Sequence, residues 1–211
     1  MFLRALCLIH SFTALALADP AALESWLKRQ TSITTLETSF TQERSLPSLK
    51  HPVTTRGKLS FAKPGRVRWQ LGEPAASLAL SDGTTLTLID FPSKSARQIP
   101  ADSPQAARFS MLTGKGFQTP QDFHAMFEVA GHRLNAGIHQ YTLRPKDRRT
   151  RSQVPWIVLD IDPTKNELRA MELILQDKSR IRTLFQNPQY NPKLPPSLFT
   201  ADLSGLHVKS S

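Results

Sequence analysis

The chain has 211 residues, of which 39% are hydrophobic and 21% are charged, and its formal net charge is +10 at pH 7. This length suits one domain with a sizeable core, and no repeat, glycine-serine linker or low-complexity block separates two domains. The positive charge favours association with anionic surfaces and says nothing about the fold, while a single cysteine, Cys7, excludes an intramolecular disulfide.

The N-terminal segment has the pattern of a secretory signal peptide. Arg4 precedes an apolar run, and small residues at 16 and 18 precede a cleavage site after Ala18. The run is short for a membrane span, although a retained anchor is the alternative. Cleavage would remove residues 1–18, including Cys7, so we expect one mature domain over residues 19–211. An exported protein without cysteines suits a bacterial periplasm.

The first predicted element of the mature chain is an amphipathic helix. Asp19 and Pro20 are typical of an N-cap and a first helical residue. Its apolar face consists of Leu23, Trp26 and Leu27. After this helix, residues 36–44 alternate between two faces, which predicts a strand.

A β-hairpin follows in the stretch GKLSFAKPGRVRW, residues 57–69. Pro64 fixes its own φ and Gly65 accepts a positive φ, so the two residues together favour a tight turn. Strand side chains alternate, and the apolar face of the two arms consists of Leu59, Phe61, Val67, Trp69 and Leu71. Arg66 and Arg68 lie on the other face.

A second hairpin is predicted at Asp82-Gly83, because this dipeptide favours two-residue turns. The strands on either side carry leucines at alternate positions. These leucines are Leu78, Leu80, Leu86 and Leu88. The sequence thus predicts successive antiparallel strands after the first helix.

Residues 103–127 break the strand pattern and predict two short helices. Ser103-Pro104 and Thr119-Pro120 are each typical of a helix start, and Gly114 would end the first helix. The apolar side chains of these helices are Phe109, Met111, Leu112, Phe123 and Met126. They fit an ordinary core between helix and sheet, but methionine also adapts to variable apolar partners, so the segment could equally be a lid.

Strands are predicted again towards the C-terminus. They contain Tyr141 and Leu143, residues 156–161, then Met171, Leu173 and Leu175, and finally residues 181–185. Prolines between 188 and 196 predict an extended loop before a last strand around Leu206 and Val208. The predicted fold class is α+β, since a large antiparallel sheet with one apolar face must curl around the helices.

No set of convergent catalytic groups is visible in the sequence. The histidines outside the N-terminal segment lack metal-ligand spacing. Asp160 and Asp162 could share one strand face and hold a cation, but next to Pro163 they are more typical of a strand end that enters a turn. We therefore predict a protein that is not an enzyme and that uses no metal or cofactor.

The densest basic stretch is RPKDRRTR, residues 144–151. Its side chains could contact anionic lipid headgroups or an acidic partner, and a solvated hairpin tip is the alternative. The residues concerned are Lys146, Arg148, Arg149 and Arg151. Because aromatic residues are not interleaved with them and the protein is predicted to be exported, no nucleic-acid partner is expected.

Several stretches match a known family in chain order. The N-terminal ones are FTQER at 40–44, GKLSFAKPGRVRW at 57–69 and LALSDGTTLTLID at 78–90. The C-terminal ones are LRPKD at 143–147, LDID at 159–162, LRAMELILQDKSRIRTLFQN at 168–187 and LPPSLF at 194–199. Together they resemble the periplasmic outer-membrane lipoprotein carrier family, the LolA-like proteins.

This resemblance implies an incomplete, strongly curved antiparallel barrel of about 10–11 strands, with helices as a lid over an apolar cavity that shelters acyl chains. The cavity residues would be Leu59, Phe61, Val67, Trp69, Leu71, Leu78, Leu80, Leu86, Leu88, Met171, Leu173 and Leu175. The lid residues would be Trp26, Leu27, Phe109, Met111, Leu112, Phe123 and Met126. The face with Arg66 and Arg68 would then meet water.

The resemblance also implies a gate and a set of partners. The family's basic residue before the turn proline, usually arginine, falls on Lys63 and bonds to backbone carbonyls of the lid. A lysine donates from one point rather than from a planar fork, so we expect weaker closure. The implied protein is a periplasmic monomer that an inner-membrane ABC exporter loads with lipoprotein and that unloads to an outer-membrane lipoprotein receptor.

Two stretches depart from the family pattern, namely the basic residues 146–151 and the C-terminal LSGLHV. These departures leave other functions open. One is a LolA-like carrier of another amphiphile, such as a glycolipid or a polyene lipid. The other is a regulatory protein that senses lipid in the cell envelope.

Overall fold

The computed structural model describes residues 20–113 and 115–210. The predicted signal peptide and Cys7 lie outside the described residues, as do the side chains of Met111 and Leu112. Within the described part, twelve strands form one sheet, accompanied by four α-helices and two 3-10 turns.

The helices are α1 (Pro20–Ser32), α2 (Pro104–Thr113), α3 (Pro120–Met126) and α4 (Arg148–Gln153), and the 3-10 turns are Lys115–Phe117 and Pro196–Phe199. The predicted start of α3 is confirmed, since the Thr119 hydroxyl accepts a hydrogen bond from the backbone N–H of Asp122. The hydroxyl of Ser103 similarly accepts one from the N–H of Ala106 in the first turn of α2.

The strands are β1 (Thr35–Ser45), β2 (Val53–Ala62), β3 (Arg66–Leu71), β4 (Ser77–Asp82), β5 (Thr85–Asp90), β6 (Ser95–Pro100), β7 (Phe127–Asn135), β8 (Ile138–Pro145), β9 (Trp156–Asp162), β10 (Glu167–Ile174), β11 (Arg180–Tyr190) and β12 (His207–Ser210). Their order across the sheet is β12-β6-β5-β4-β3-β2-β1-β11-β10-β9-β8-β7. All neighbours are antiparallel except β12, which runs parallel to β6. The sheet is open rather than closed, which confirms the predicted α+β fold class.

Both predicted hairpins form, each with a glycine of positive φ in the turn. Gly65 has a φ of 69° between β2 and β3, and Gly83 has a φ of 101° between β4 and β5. One carboxylate oxygen of Asp82 accepts hydrogen bonds from the backbone N–H groups of Thr84 and Thr85. The second turn is therefore fixed by its aspartate as well as by its glycine.

Apart from the 3-10 turns, two strands and one α-helix were not predicted. β6 has the sequence SARQIP and β7 the sequence FEVAGHRLN, and neither shows a regular apolar alternation that would distinguish it from a loop. α4 occupies the basic stretch where a hairpin tip was the alternative. Asp147 caps this helix by accepting a hydrogen bond from the N–H of Thr150.

A solid core lies between α1, α3 and the half of the sheet formed by β7–β10. Its buried residues are Leu23, Trp26, Leu27, Phe123, Phe127, Tyr141, Leu143, Ile157, Leu159, Ile161 and Met171. Because α1 and α3 supply side chains that meet those of the strands, this half of the molecule resembles an ordinary helix-on-sheet domain.

The leucines of β4 correct the predicted cavity lining. Leu78 pairs with Gln70 and Leu80 with Arg68 across the β3–β4 ladder, so both leucines point away from the face that carries Trp69. They are buried instead against the C-terminal segment, where they contact Ala201, Leu203 and Leu206. The prediction that Leu78 and Leu80 line the cavity was wrong, because the outer face of this strand is also covered.

The same C-terminal segment changes the surroundings of the two arginines of β3. The Arg66 guanidinium lies 5.2 Å from the centroid of the Phe199 ring, and Arg68 donates to the carbonyl of Leu198. Phe199 itself is buried. Arg66 and Arg68 are therefore half-buried beneath a protein segment. The resemblance implied that their face would meet water, and this expectation was wrong because the C-terminal segment covers it.

Candidate binding cavity

An apolar cavity of about 120 Å³ lies between α1 and the middle of the sheet. The sheet contributes Leu36, Thr38, Leu59, Phe61, Trp69, Leu168, Met171, Phe185, Pro188 and Tyr190. The helical side and the loops contribute Trp26, Gln30, Ile33, Lys63, Phe117 and Gln118. Most of these side chains are apolar, so the cavity offers a site for hydrocarbon rather than for a polar ligand.

Three aromatic rings form the sheet side of this region. The ring centroids of Phe40 and Trp69 are 4.8 Å apart, and that of Phe185 is 6.4 Å from Phe40 and 6.5 Å from Trp69. A Cβ atom added at Gly57 would lie 2.3 Å from the Phe40 ring and 2.4 Å from the carbonyl oxygen of Gln70. Glycine at 57 is thus required for Phe40 to lie flat against β2 and support Trp69.

Phe117 connects the cavity to the solid core. Its ring is 5.9 Å from that of Trp26 and stacks on that of Phe127 at 5.4 Å, measured between centroids. Phe117 belongs to the 3-10 turn between α2 and α3 and also lines the cavity. A shift of this turn would therefore change the cavity and the edge of the core together.

The C-terminal end of α1 is tied to the sheet by hydrogen bonds from a lysine. Lys63 Nζ donates to the carbonyls of Gln30 at 3.1 Å and Thr31 at 3.3 Å. A cation at this position satisfies helix carbonyls that have no intrahelical partner and interacts favourably with the helix dipole. Burial lowers the pKa of Lys63 below its ordinary value.

Arg29 and Asn191 provide further ties to α1. Arg29 donates to the carbonyls of Lys165 and Asn166, and its guanidinium lies 4.2 Å from the centroid of the Tyr190 ring. Asn191 donates to the carbonyl of Ser32. Burial, assisted by the Glu167 carboxylate, raises the pKa of Tyr190 to about 12. Thus Tyr190 is a neutral phenol in the cavity wall at physiological pH.

Comparison with known proteins shows which family this chain belongs to. The family model described as outer membrane lipoprotein carrier protein LolA matches residues 31–202. The chain belongs to the LolA family. It is similar to the outer-membrane lipoprotein carrier protein of Cupriavidus pinatubonensis, with 28% identity over 193 residues that cover 90% of this chain and 85% of that protein.

A second relative agrees with the LolA assignment, and one solved structure shares the fold. The outer-membrane lipoprotein carrier protein of Bordetella avium is 26% identical over 204 residues, which cover 93% of this chain and 90% of that protein. A solved structure of an uncharacterized conserved protein from Thermus thermophilus has a TM-score of 0.53 and 7% identity, covering 90% of this chain and 98% of that one. The latter likeness concerns the fold alone. In residues 20–113 and 115–210, no helix is both long and apolar enough to cross a membrane.

In this LolA-family chain, the cavity brings together six of the residues singled out from the sequence. They are Trp26, Leu59, Phe61, Lys63, Trp69 and Met171. Val67, Leu86 and Phe109 line a second cavity of about 140 Å³ beneath α2. Phe61 and Gln118 contribute to both cavities and therefore lie between them.

Other predicted residues lie outside both linings. Leu71, Leu88 and Leu173 are partly buried against apolar clusters, and Leu175 follows the end of β10. Leu27, Phe123 and Met126 pack in or against the solid core and do not face open space. The side chains of Met111 and Leu112 lie outside the described residues, so their predicted place in the lid is still a prediction.

Sequence reasoning missed a second group of lining residues. Phe185, Pro188 and Tyr190 come from β11, which pairs with β1 from the far end of the chain. Phe185 could have been found, because it shares an alternating face with Ile181 and Thr183. Phe117 had no such signal, since it lies in a short turn between two helices.

The carboxylates considered for metal binding, Asp160 and Asp162, already have hydrogen-bond or ion-pair partners within the protein. Asp162 accepts hydrogen bonds from the hydroxyl of Thr164 and the backbone of Lys165, which hold the pKa of its carboxyl below the ordinary value. Asp160 pairs with Arg182 and accepts from Gln140. Within the described residues there is no group of three or more His, Cys, Asp or Glu side chains that could hold a metal ion.

The structure divides the predicted basic patch into two kinds of residue. Lys146 Nζ donates to the carbonyl of His124 at the end of α3, and Arg151 donates to the carbonyls of Pro145 and Lys146. These two side chains therefore stabilise the neighbouring backbone through hydrogen bonds to its carbonyls. Arg148 and Arg149 are exposed on α4.

Proposed function

We propose that this protein carries lipoproteins by sheltering their acyl chains in the cavity beneath α1. The observation that supports this proposal most strongly is the lining itself, with Trp69, Phe185 and Met171 on the sheet side and Trp26 and Phe117 on the helical side. This arrangement lies in a chain of the LolA family. An apolar cleft with few polar groups is the expected site for a hydrocarbon ligand.

Water is a poor solvent for such a cargo. Each methylene group contributes about 0.8 kcal/mol, so exposing one chain of roughly 16 carbons costs about 13 kcal/mol. A lipoprotein therefore cannot cross an aqueous compartment freely. A carrier with a dry cavity removes most of this cost, and the same apolar contacts must then be given up at delivery.

Loading requires the helices to move. The cavity of about 120 Å³ is smaller than the engineered cavity of about 150 Å³ that holds a single benzene molecule in another protein. The second cavity is separated from the first by Phe61 and Gln118. In our proposal, displacement of α1, α2 and the turn at Lys115–Phe117 joins the two cavities and makes room for acyl chains.

We assign the gate to Lys63. Its two hydrogen bonds to the last turn of α1 keep that helix against the sheet, and opening requires them to break. A typical hydrogen bond contributes only about 1 kcal/mol net, so this closure is reversible. A lysine in place of a forked arginine makes opening easier still.

The proposed pathway completes the function. The N-terminal segment directs the chain to the periplasm, where the mature protein acts as a monomer. An inner-membrane ABC exporter loads it with lipoprotein and an outer-membrane lipoprotein receptor accepts the cargo. The carrier needs no catalytic residue for this cycle, because only binding and release are required.

The proposal is tested by replacing Trp69 and measuring binding of a fluorescent fatty acid to protein purified from the periplasm. Trp69→Ala should weaken binding about tenfold or more, because a buried aromatic side chain contributes about 1.5–3 kcal/mol. Competition with a triacylated lipopeptide should displace the probe from the wild type.

Trp156→Ala is the matched control, since Trp156 is an exposed tryptophan that does not line the cavity. Circular dichroism would establish that both variants fold. A folded Trp69→Ala protein that binds the probe as tightly as the control does would refute the proposed site. Mass spectrometry of lipids that co-purify with the wild type would identify the natural cargo.

A further inference from the structure

One end of the sheet carries three neighbouring loops that the proposed cavity does not use. They connect β1 to β2 (residues 46–52), β8 to β9 (146–155) and β10 to β11 (175–179). The sheet order places the six strands side by side, so the loops form one continuous rim, which we call the basic rim. The backbone N–H of Gln176 donates to the carbonyl of Gln153 and joins two of the loops.

Apolar side chains are exposed on this rim. Leu49 and Val53 in and beside the first loop are 47% and 51% exposed, and Trp156 at the start of β9 is 37% exposed. These are three of the six large hydrophobic residues that the described part of the chain exposes. They lie at the tips of separate loops and strand ends, whereas both cavities are lined by other residues.

Positive charge surrounds these side chains. The three loops and their adjoining strand ends carry Arg44, Lys50, Lys146, Arg148, Arg149, Arg151, Lys178 and Arg180, of which Arg180 pairs with Glu172 of β10. The loops themselves carry the carboxylates of Asp147 and Asp177. Both carboxylates already accept hydrogen bonds from residues of their own loops. Lys50, Arg148, Arg149 and Lys178 are exposed and form no ion pair with any residue in the described ranges.

We propose that the basic rim docks the protein on the surface of an anionic lipid bilayer. Basic side chains near such a surface are attracted to the headgroups, and adjacent leucine, valine and tryptophan side chains enter the interfacial layer. A flat bilayer can contact the tips of three loops at once, whereas a protein partner that inserts a side chain would need a pocket. The combination on this rim therefore favours lipid over an acidic protein.

Docking at this rim leaves the cavity accessible. Ile33, Lys63 and Tyr190 line the cavity at the opposite ends of the same strands, since Ile33 precedes β1, Lys63 follows β2 and Tyr190 is the last residue of β11. The rim and the cavity can therefore be occupied together. This inference does not depend on the identity of the cargo, since none of the rim residues named above lines the cavity.

Vesicle flotation tests the proposal with protein purified from the periplasm. Vesicles contain either phosphatidylcholine alone or phosphatidylcholine with phosphatidylglycerol, at low and at high salt. The double variant Arg148→Gln with Arg149→Gln should reduce the partition coefficient on anionic vesicles about fivefold for each removed charge at low salt. The double variant Leu49→Ser with Val53→Ser should remove the binding that persists at high salt.

The matched controls lie at the opposite end of the sheet. Arg133→Gln with Lys165→Gln removes two exposed charges there, and Leu134→Ser removes an apolar side chain that is 63% exposed. Both controls should bind vesicles as the wild type does. Fatty-acid probe binding should be unchanged in every rim variant, which separates this result from a failure of the cavity proposal.

Two outcomes would overturn the inference. The first is a wild-type protein that does not float with anionic vesicles at low salt; retention of that protein on immobilised polyglutamate would then assign the rim to an acidic protein. The second is an equal loss of binding in the rim variants and in the controls from the opposite end, because only the net charge would then matter.

Discussion

The two halves of the sheet meet the helices in different ways. Under β7–β9 and part of β10, side chains of α1 and α3 pack against the strands, and Leu27, Phe123 and Tyr141 are almost inaccessible to solvent. Under β1–β3 and β11, the same helix layer leaves open space between aromatic rings. One half thus contains a packed core, and the other contains the cavity.

The difference arises from the residues that face each other across the layer. In the filled half, Phe123 and Phe127 stand close to Phe117, with ring centroids 6.2 Å and 5.4 Å away. In the open half, the only described side chains from α1 that reach the cavity are Trp26 and Gln30. A cavity persists where helix side chains are too few to fill it, and its walls lose the dispersion contacts that a packed core would supply.

The largest expected effect concerns the filled half. Phe123→Ala should lower the free energy of unfolding by about 3–5 kcal/mol, because it leaves a void in a packed core. Urea denaturation measures this loss. The control is Phe91→Ala, at a phenylalanine that is 38% exposed, which should change stability by less than about 0.5 kcal/mol. Similar losses in the two variants would show that the filled half is not the stabilising one.

A smaller effect is expected at the support of the aromatic rings. Gly57→Ala places a Cβ atom 2.3 Å from the Phe40 ring and 2.4 Å from the carbonyl oxygen of Gln70, so both the ring and the strand backbone must shift, at a cost of about 1–3 kcal/mol. The displaced Phe40 and Trp69 should also weaken fatty-acid binding.

Gly131→Ala is the matched control, because the nearest atoms to its Cβ would be 3.7 Å away. Thermal unfolding and probe titration of both variants test the prediction. Equal behaviour of the two alanine variants would contradict the role assigned to Gly57.

Phe61→Ala should change the preference for acyl-chain length and should leave the packed core under β7–β10 largely unaffected. Removing this ring opens a passage between the two cavities, so longer acyl chains should gain affinity relative to short ones, by about fourfold for each further methylene buried. Titration with fatty acids of increasing length measures the change. Val67→Ala enlarges the second cavity alone and should keep the wild-type length profile; an unchanged profile in Phe61→Ala would argue against the passage.

The smallest effect on stability is expected at the gate. Lys63→Met removes two hydrogen bonds to α1 and should cost about 1 kcal/mol, while hydrogen exchange at the C-terminal end of α1 becomes severalfold faster. Lys63→Arg should slow that exchange. The control is Lys58→Met, which breaks only an exposed ion pair with Glu73. Identical hydrogen exchange in Lys63→Met and in the wild type would show that Lys63 does not hold α1 closed.

Much of the fold could be predicted from the sequence because local signals agree with the structure. Pro20 begins α1, Thr119 caps α3, and Gly65 and Gly83 adopt the positive φ values that their turns require. The alternation around Trp69 correctly indicated an apolar face on β3. The quoted motifs also identified the family, which covers residues 31–202.

The orientation of individual strands could not be predicted in the same way. The leucines of β4 look equivalent to those of β5, yet Leu78 and Leu80 face outward while Leu86 faces inward. Register across a hairpin decides which face is which, and a shift of one residue reverses every side chain. A covering segment from the far end of the chain then buries the outward leucines.

The sequence by itself determined the elements, their turns and the apolar character of the sheet, because these depend on residues close together in the chain. Tertiary structure alone decided where hydrophobic residues fill space and where they surround it. Phe117, Phe185 and Tyr190 meet Trp26 and Trp69 only after distant segments pack. Whether an apolar side chain belongs to a core or to a cavity depends on its partners across the layer, and no local pattern specifies those partners.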